Sequence, residues 1–409
     1  MSDKIKRIVL TLILIFSLLF ISSCSKQKPT VTNYDGKEFD ISLMQDKSVL
    51  AKTTKVGNDY HLVISGTGEV KSFTSKQSVP WNAISKKITS VTINEGIENI
   101  GNYYFYSLTL DHYFIPSSVI EVEEYSFNDS AIIYSHSTSK VSTLCSNKVY
   151  YYSSSKPQVD DEYWHKIGED IVIWKQYKLL FIGNSFTYYP TDKFSVENPA
   201  VCSIIKDIAN SLDIDLLVDF VVRGTYKLSQ YASSSDELGK VVEEKLNARS
   251  DYDYVILQEH STTPVNSYNA FNTAVSAIKS KVEKTQQNAQ VVLYSTWGYP
   301  SAISETSIFS SVSAMEKLLT DAYKRCAEEN EVKVSYVGKA FTYVYENYPE
   351  ISLYGSDDKH QTYAGAYLSA CVHLASLLNV DVRNVTFNGD LDANVATKLK
   401  EVAHQISLG

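Results

Sequence analysis

Apolar positions change rhythm three times along the chain. Ile8 to Ile21 is almost wholly apolar, and Ser25 to about Gly57 is polar with little periodicity. From Asp59 short alternating runs set in, as expected for half-buried strands. Beyond about residue 176, apolar β-rich runs (Lys178 to Gly183, Leu216 to Val222, Tyr254 to Leu257, Val291 to Thr296, Val332 to Val337) alternate with stretches of helical spacing. The helical stretches are Ala200 to Leu212, Ser235 to Ala248, Ala270 to Lys284 and Ser307 to Glu328. Five strands separated by helices predict a parallel sheet covered on both faces, an α/β three-layer sandwich. Ligands of such sheets bind beyond the carboxyl ends of the strands, which is where chemistry is to be sought.

The middle section repeats itself. "VTINEGIENIGNYYF" (Val91 to Phe105) superposes on "YFIPSSVIEVEEYSF" (Tyr113 to Phe127), with Ile93 on Ile115, Ile97 on Val119, Ile100 on Val122 and Phe105 on Phe127. A period in the low twenties marks a solenoid whose units cannot bury their apolar face alone. The residues resemble leucine-rich repeats of the bacterial surface-antigen type, with Ile115-Pro116-Ser117-Ser118-Val119 as their "I-P-x-x-V" turn. "ISGTGEV" and "VPW" before them resemble a cap, and "AIIYSHSTSKVSTLCSNKVYYY" reads as a degenerate third unit. With two good units, this β-rich module is small and expected to lean on its neighbours.

The remaining boundaries follow composition. Lys4, Lys6 and Arg7 precede the apolar Ile8 to Ile21 run, which is short for a membrane span and suits a signal segment. Ile21-Ser22-Ser23-Cys24 resembles the lipobox of bacterial lipoproteins, which implies lipidation of Cys24 and a place in the bacterial cell envelope, outside the inner membrane. An ordinary secretory signal with a chance cysteine is the alternative. The expected division is a signal peptide over 1–23, a tether over 24–56, the repeat module over 57–152, a linker over 153–175 around "SSSKPQVDDEYW", and an α/β domain over 176–409. At 409 residues and 44% apolar, the chain has material for real cores. Losing a leader with Asp3, Lys4, Lys6 and Arg7, a net +2, takes the formal charge from −9 to −11, which argues against nucleic acid as a partner. Cys145, Cys202, Cys326 and Cys371 are too scattered for a disulfide scaffold or a zinc site, and no metal or cofactor is expected.

Each predicted strand ends in polar residues: Gly183-Asn184-Ser185, Arg223-Gly224-Thr225, Gln258-Glu259-His260-Ser261 and Trp297-Gly298, while Asp357-Asp358-Lys359-His360 follows the fifth. Together they form the set that acyl transfer requires. A serine needs a base to remove its proton as it attacks, and His360 suits that role. Asp357, three residues earlier, is placed to orient the imidazole, and Asp358 is less well placed. The Ser185 amide, the Gly224 amide and the Gln258 carboxamide are candidate oxyanion donors. Taken singly, each motif has a plainer reading: "GNS" as a turn with a helix N-cap, Asp-x-x-His as a capped loop, "LQEHS" as a solvated strand end. Asn184, Glu259, His260 and Trp297 share this edge and are candidate substrate contacts, with packing as the alternative. His112 and His165 are expected on the surface, and His373 in the core with its ring satisfied.

From about Lys178 to Leu408 the chain resembles the SGNH (GDSL-like) hydrolases, through "KLLFIGNSFT", "VILQEHS" and "DDKHQTYAGAYLSA". The resemblance implies a flavodoxin-like fold with Ser185 as nucleophile, His360 with Asp357 as base, and Ser185, Gly224 and Gln258 as oxyanion hole. Asn184 replaces the usual Asp, and Gln258 stands where Asn is usual. The expected function is a surface-anchored serine esterase removing acetyl or other acyl groups from a glycan or glycoside, with acylated carbohydrate or another small ester as substrate and the repeats contacting a surface polymer or protein. The alternative is a non-catalytic glycan-binding or adhesin protein. A lipase would call for an apolar acyl channel, which no run supplies, and transfer to another hydroxyl stays open.

Overall fold

The computed structural model describes residues 33–136, 146–158, 162–189, 191, 193–305 and 308–408. The predicted signal peptide and Cys24 lie outside them, as do Cys145 and part of the third repeat. The chain divides into two compact units, Met1–Val149 and Tyr150–Gly409.

In the first unit, strands β1 (Lys37–Asp40), β2 (Val49–Val56), β3 (Asp59–Gly66) and β4 (Ile88–Ile93) form a sheet in that order, antiparallel except for the β3–β4 pair. The tether expected over 24–56 is therefore corrected: residues 37–56 supply two strands, because Val49, Ala51 and Thr53 alternate inward and are buried. The repeats follow as β5 (Asn99–Ile100), β6 (His112–Ile115), β7 (Glu121–Val122) and β8 (Ile132–Ser135). β5 pairs with β7 in parallel, Asn99 on Glu121 and Ile100 on Val122, and Phe105 bridges to Phe127. All three pairings keep the 22-residue offset of the sequence. So do polar contacts between turns: Ser117 donates from N and Oγ to Glu95 at 2.9 Å each, and Gly96 N donates to Ser118 Oγ. Ile97, Ile100, Phe105, Val119, Val122 and Phe127 form the shared core that no repeat closes alone.

In the second unit, Tyr151 and Tyr152 of β9 (Val149–Tyr152) pair in parallel with β10 (Tyr163–Ile167), which forms a hairpin with β11 (Asp170–Ile173). Much of the expected linker is thus structured, since Trp164, Ile167, Val172 and Trp174 are buried. The main sheet holds β12 (Gln176–Gly183), β13 (Asp215–Val222), β14 (Tyr254–Leu257), β15 (Gln290–Tyr294) and β16 (Lys333–Ser335). Its order is β13-β12-β14-β15-β16, all parallel, the 2-1-3-4-5 arrangement of flavodoxin-like sheets. These strands are apolar runs because both faces are covered.

Eleven α-helical segments of four or more residues are described in this unit: α1 (Ser185–Tyr188), α2 (Ala200–Asn210), α3 (Leu228–Tyr231), α4 (Glu237–Ala248), α5 (Thr263–Asn266), α6 (Tyr268–Thr285), α7 (Pro300–Glu305), α8 (Val312–Asn330), α9 (Val337–Asn347), α10 (Tyr363–Leu378) and α11 (Ala393–Leu408). α2, α10 and α11 pack together, and α3, α4, α6 and α8 form a second group, giving three layers. α2 buries Val201, Ile204, Ile205 and Ile208, the spacing of one helix face. α10 is buried nearly all round and starts at Thr362, whose Oγ1 accepts from Gly365 N. That cap fixes the chain two residues after His360.

Candidate active site

β12 runs straight into α1, so Ser185 stands at the first turn of a helix at the carboxyl edge of the sheet. Asn184 caps that helix, its Oδ1 accepting from Phe186 N at 3.3 Å. Gly183 ends the strand because a Cβ there would come within 2.7 Å of both Gln258 Oε1 and Thr187 Oγ1. β12 pairs with β13 so that Gly183 lies against Val222, and Ser185 and Gly224 each follow two residues later. A Cβ on Gly224 would meet Tyr188 Oη at 2.7 Å, so glycine lets the two loops close. Neither the Ser185 N–H nor the Gly224 N–H has a partner among the described residues.

His360 arrives from the far end of the chain. Ser185 Oγ lies 2.8 Å from His360 Nε2, and His360 Nδ1 lies 2.5 Å from Asp357 Oδ2. The turn that achieves this is tight: Asp357 Oδ1 accepts from Lys359 N and His360 N, Asp358 adopts a left-handed φ of 51°, and Gly355 N donates to His360 O. Partial burial raises the Asp357 pKa, but the hydrogen bonds from His360 and Lys359 outweigh it and hold the carboxyl below its usual range. The ring is held on two sides, edge-on to Phe186 at 5.5 Å and stacked on Tyr189 at 6.0 Å. A cavity of about 270 Å³ adjoins this edge, lined by Tyr189, Phe194 and Tyr363. A larger polar cavity of about 430 Å³, around Gln176, Asp215 and Asp253, lies at the opposite ends of the strands and holds none of these groups.

The structure thus brings Ser185, Asp357, His360 and Gly224 together and removes four other expectations. Gln258 is fully occupied: its Oε1 accepts from Asn184 N at 2.8 Å and Thr187 Oγ1 at 3.0 Å, while its Nε2 donates to Asn184 Oδ1 at 2.9 Å and Glu259 O at 2.5 Å. A carboxamide has two N–H groups, so none is left for an oxyanion. Asn184 is buried in the same lock and gives its Nδ2 to Tyr226 O, so it is no substrate contact. Trp297 is likewise interior, sandwiched between Phe186 at 4.2 Å and Phe341 at 4.1 Å, with its Nε1 on Lys359 O. Its work is to hold the loop that carries His360. Glu259 is buried with its Oε1 accepting from Leu228 N and His260 N, and burial pushes its pKa up to about 7.

Of the four candidate substrate contacts, only the His260 side chain remains partly exposed. Gln361 was not foreseen: it is fully buried and donates from Nε2 to Ser185 O at 3.2 Å, steadying the serine's backbone. Its place directly after the histidine was the available signal. His165 is corrected from surface to interior, stacked on Trp174 at 3.7 Å. His373 is in the core, but neither ring nitrogen has a partner among the described residues, and burial drives its pKa down to about 3. It stays neutral there between Tyr294 and Phe181. Among the described residues no group of three or more His, Cys, Asp or Glu is placed to hold a metal ion.

Comparison with known proteins agrees with the repeats and is distant for the remainder. Residues 82–195 match the model of the BspA type leucine rich repeat region, in six copies, so the first unit carries repeats of that type. The match runs on past the repeats into β12 and α1. No curated protein matches. Among solved structures, a candidate SGNH hydrolase from Slackia heliotrinireducens is 23% identical, covering 49% of this chain and 97% of its own, with a TM-score of 0.39. A DUF4886 family protein from Bacteroides uniformis is 17% identical over 56% and 94%, with a TM-score of 0.48. Est24, a carbohydrate acetylesterase from Sinorhizobium meliloti, is 14% identical over 48% and 95%, with a TM-score of 0.34.

Proposed function

We propose that this chain is a serine esterase of SGNH type that removes acyl groups, acetyl foremost, from a glycan or glycoside at the bacterial surface. The observation that carries the reading is the relay itself: hydroxyl, imidazole and carboxylate in line at 2.8 and 2.5 Å, assembled from segments 175 residues apart. In this reading His360 Nε2 takes the Ser185 proton as Oγ bonds to the ester carbonyl carbon. The carbonyl oxygen becomes an oxyanion facing the free N–H groups of Ser185 and Gly224. Asp357 stabilises the imidazolium and fixes the tautomer. The C–O bond to the alcohol then breaks, His360 returns the proton to the departing oxygen, and water repeats the sequence to free Ser185. The choice of glycan follows from the expected surface placement, with Cys24 as the lipidated residue.

The full-length protein should hydrolyse p-nitrophenyl acetate and acetylated sugars, and Ser185→Ala and His360→Ala should not. Equal turnover by all three would remove the esterase reading and favour a binding protein. Incorporation of a labelled fatty acid, abolished by Cys24→Ala, tests the anchor.

A further inference from the structure

With Gln258 locked onto Asn184, Thr187 and Glu259, two backbone amides face the developing oxyanion and one donor position stands open. The sheet register places one candidate side chain level with Ser185 on the adjacent strand. β12 and β14 pair with Ile182 against Leu257, and Gln258 N donates to Ile182 O. Counting on from that pair, Ser185 and His260 are each the third residue, so they leave adjacent strands at the same height. The His260 backbone is pinned by its N–H to Glu259 Oε1 at 2.6 Å and by its carbonyl, which accepts from Thr263 N at 3.0 Å. Its ring, partly exposed, has no hydrogen-bond partner among the described residues and lies within reach of the charges of Lys359, Lys227 and His360. A half-buried imidazole beside the base, with a pinned backbone and a free ring, is a donor lacking an acceptor.

We infer that His260 supplies the third hydrogen bond to the oxyanion, taking the place that Gln258 cannot fill. Burial, and then the charges of Lys359, Lys227 and His360, hold its pKa below the ordinary histidine value, so the ring is neutral near pH 7 and carries one N–H. A neutral donor suits the task, because its N–H polarises the carbonyl without placing a second positive charge beside the imidazolium that forms at His360. The inference rests on the esterase reading and adds a residue to it.

The test is turnover of p-nitrophenyl acetate and the rate of fluorophosphonate labelling of Ser185, measured on full-length wild type, His260→Ala and His260→Gln. Loss of one oxyanion donor predicts that His260→Ala lowers kcat ~10²–10³-fold with KM nearly unchanged, and that labelling slows in parallel. His260→Gln restores an N–H on a side chain of similar reach and should regain a large part of both rates. Activity of His260→Ala within about twofold of wild type would overturn the assignment while leaving Ser185 as nucleophile. So would equal losses in the alanine and glutamine variants at unchanged thermal stability. A wild type that neither turns over ester nor labels would sink the nucleophile itself, and the assignment with it.

Discussion

The two units solve the placing of residues in opposite ways. In the repeat unit, a residue's partner sits at a constant distance along the chain: Asn99 on Glu121, Ile100 on Val122, Phe105 on Phe127, all 22 apart. In the α/β unit the partners follow no period: Asn184 meets Gln258 across 74 positions and Ser185 meets His360 across 175. Repetition spreads a core over equivalent layers, so each layer contributes to stability and none is unique. Convergence concentrates chemistry in single atoms whose loss nothing replaces. The two should therefore fail differently when cut.

The largest effect belongs to the convergent unit. Ser185→Ala and His360→Ala should each lower kcat by ~10⁴-fold or more, and the double variant should be little worse, because groups acting as one unit are not additive. Kinetics with p-nitrophenyl acetate checks this, and additive losses would show that the two act separately. Next comes a cut in the repeats. Phe105 stacks on Phe127 at 5.5 Å and is buried, so Phe105→Ala should cost about 3–5 kcal/mol through the cavity left behind. Calorimetry should register the loss while kcat at 25 °C per folded molecule stays at the wild-type value. A fall in kcat would mean that the units are not separable in function.

Asp357→Asn should act more gently than loss of the base. The Asp357 side chain is 48% exposed, so water partly replaces it, and the expected loss in kcat stays below the ~10⁴-fold that removing a buried orienting aspartate costs. Its signature is selective: the variant's amide keeps the turn but holds the imidazolium poorly, so the deficit should sit in kcat rather than KM. An unchanged kcat would leave His360 oriented by Phe186 and Tyr189 alone.

The same contrast explains what the sequence made legible. The repeat register was readable because period and structure share one number. Ser185, Gly224 and His360 were readable because each sits on a strand end or carries a short spacing to its partner. The occupancy of Gln258 was not, since it depends on Asn184 and Thr187, which lie over 70 positions away. Trp297 looked like a substrate platform at a strand end, yet Phe186 and Phe341 enclose it from two other segments. The strands at 163–167 and 170–173 were hidden for a related reason: their polar flanks suggest a linker, while the burial of Trp164 and Trp174 depends on chain folded elsewhere.

Glu259 gives the finest test, because it ties two strand-end loops through one atom. Its Oε1 accepts from Leu228 N at 3.2 Å, in the segment after Gly224, and from His260 N at 2.6 Å. Burial raises its pKa from 4.5 to about 7, and the two backbone N–H groups and Lys227 offset that only in part. The folded chain therefore binds a proton that the unfolded chain releases between those values. Stability from this group is complete below pH 4.5 and is lost as the pH climbs through 7. Glu259→Gln keeps the accepting oxygen and never ionises, so it should gain on the wild type by on the order of 2 kcal/mol between pH 5 and 8, and no further above that. Melting curves of both proteins across that range decide the matter. Parallel curves would mean that Glu259 is ionised throughout and that a cation outside these contacts compensates it.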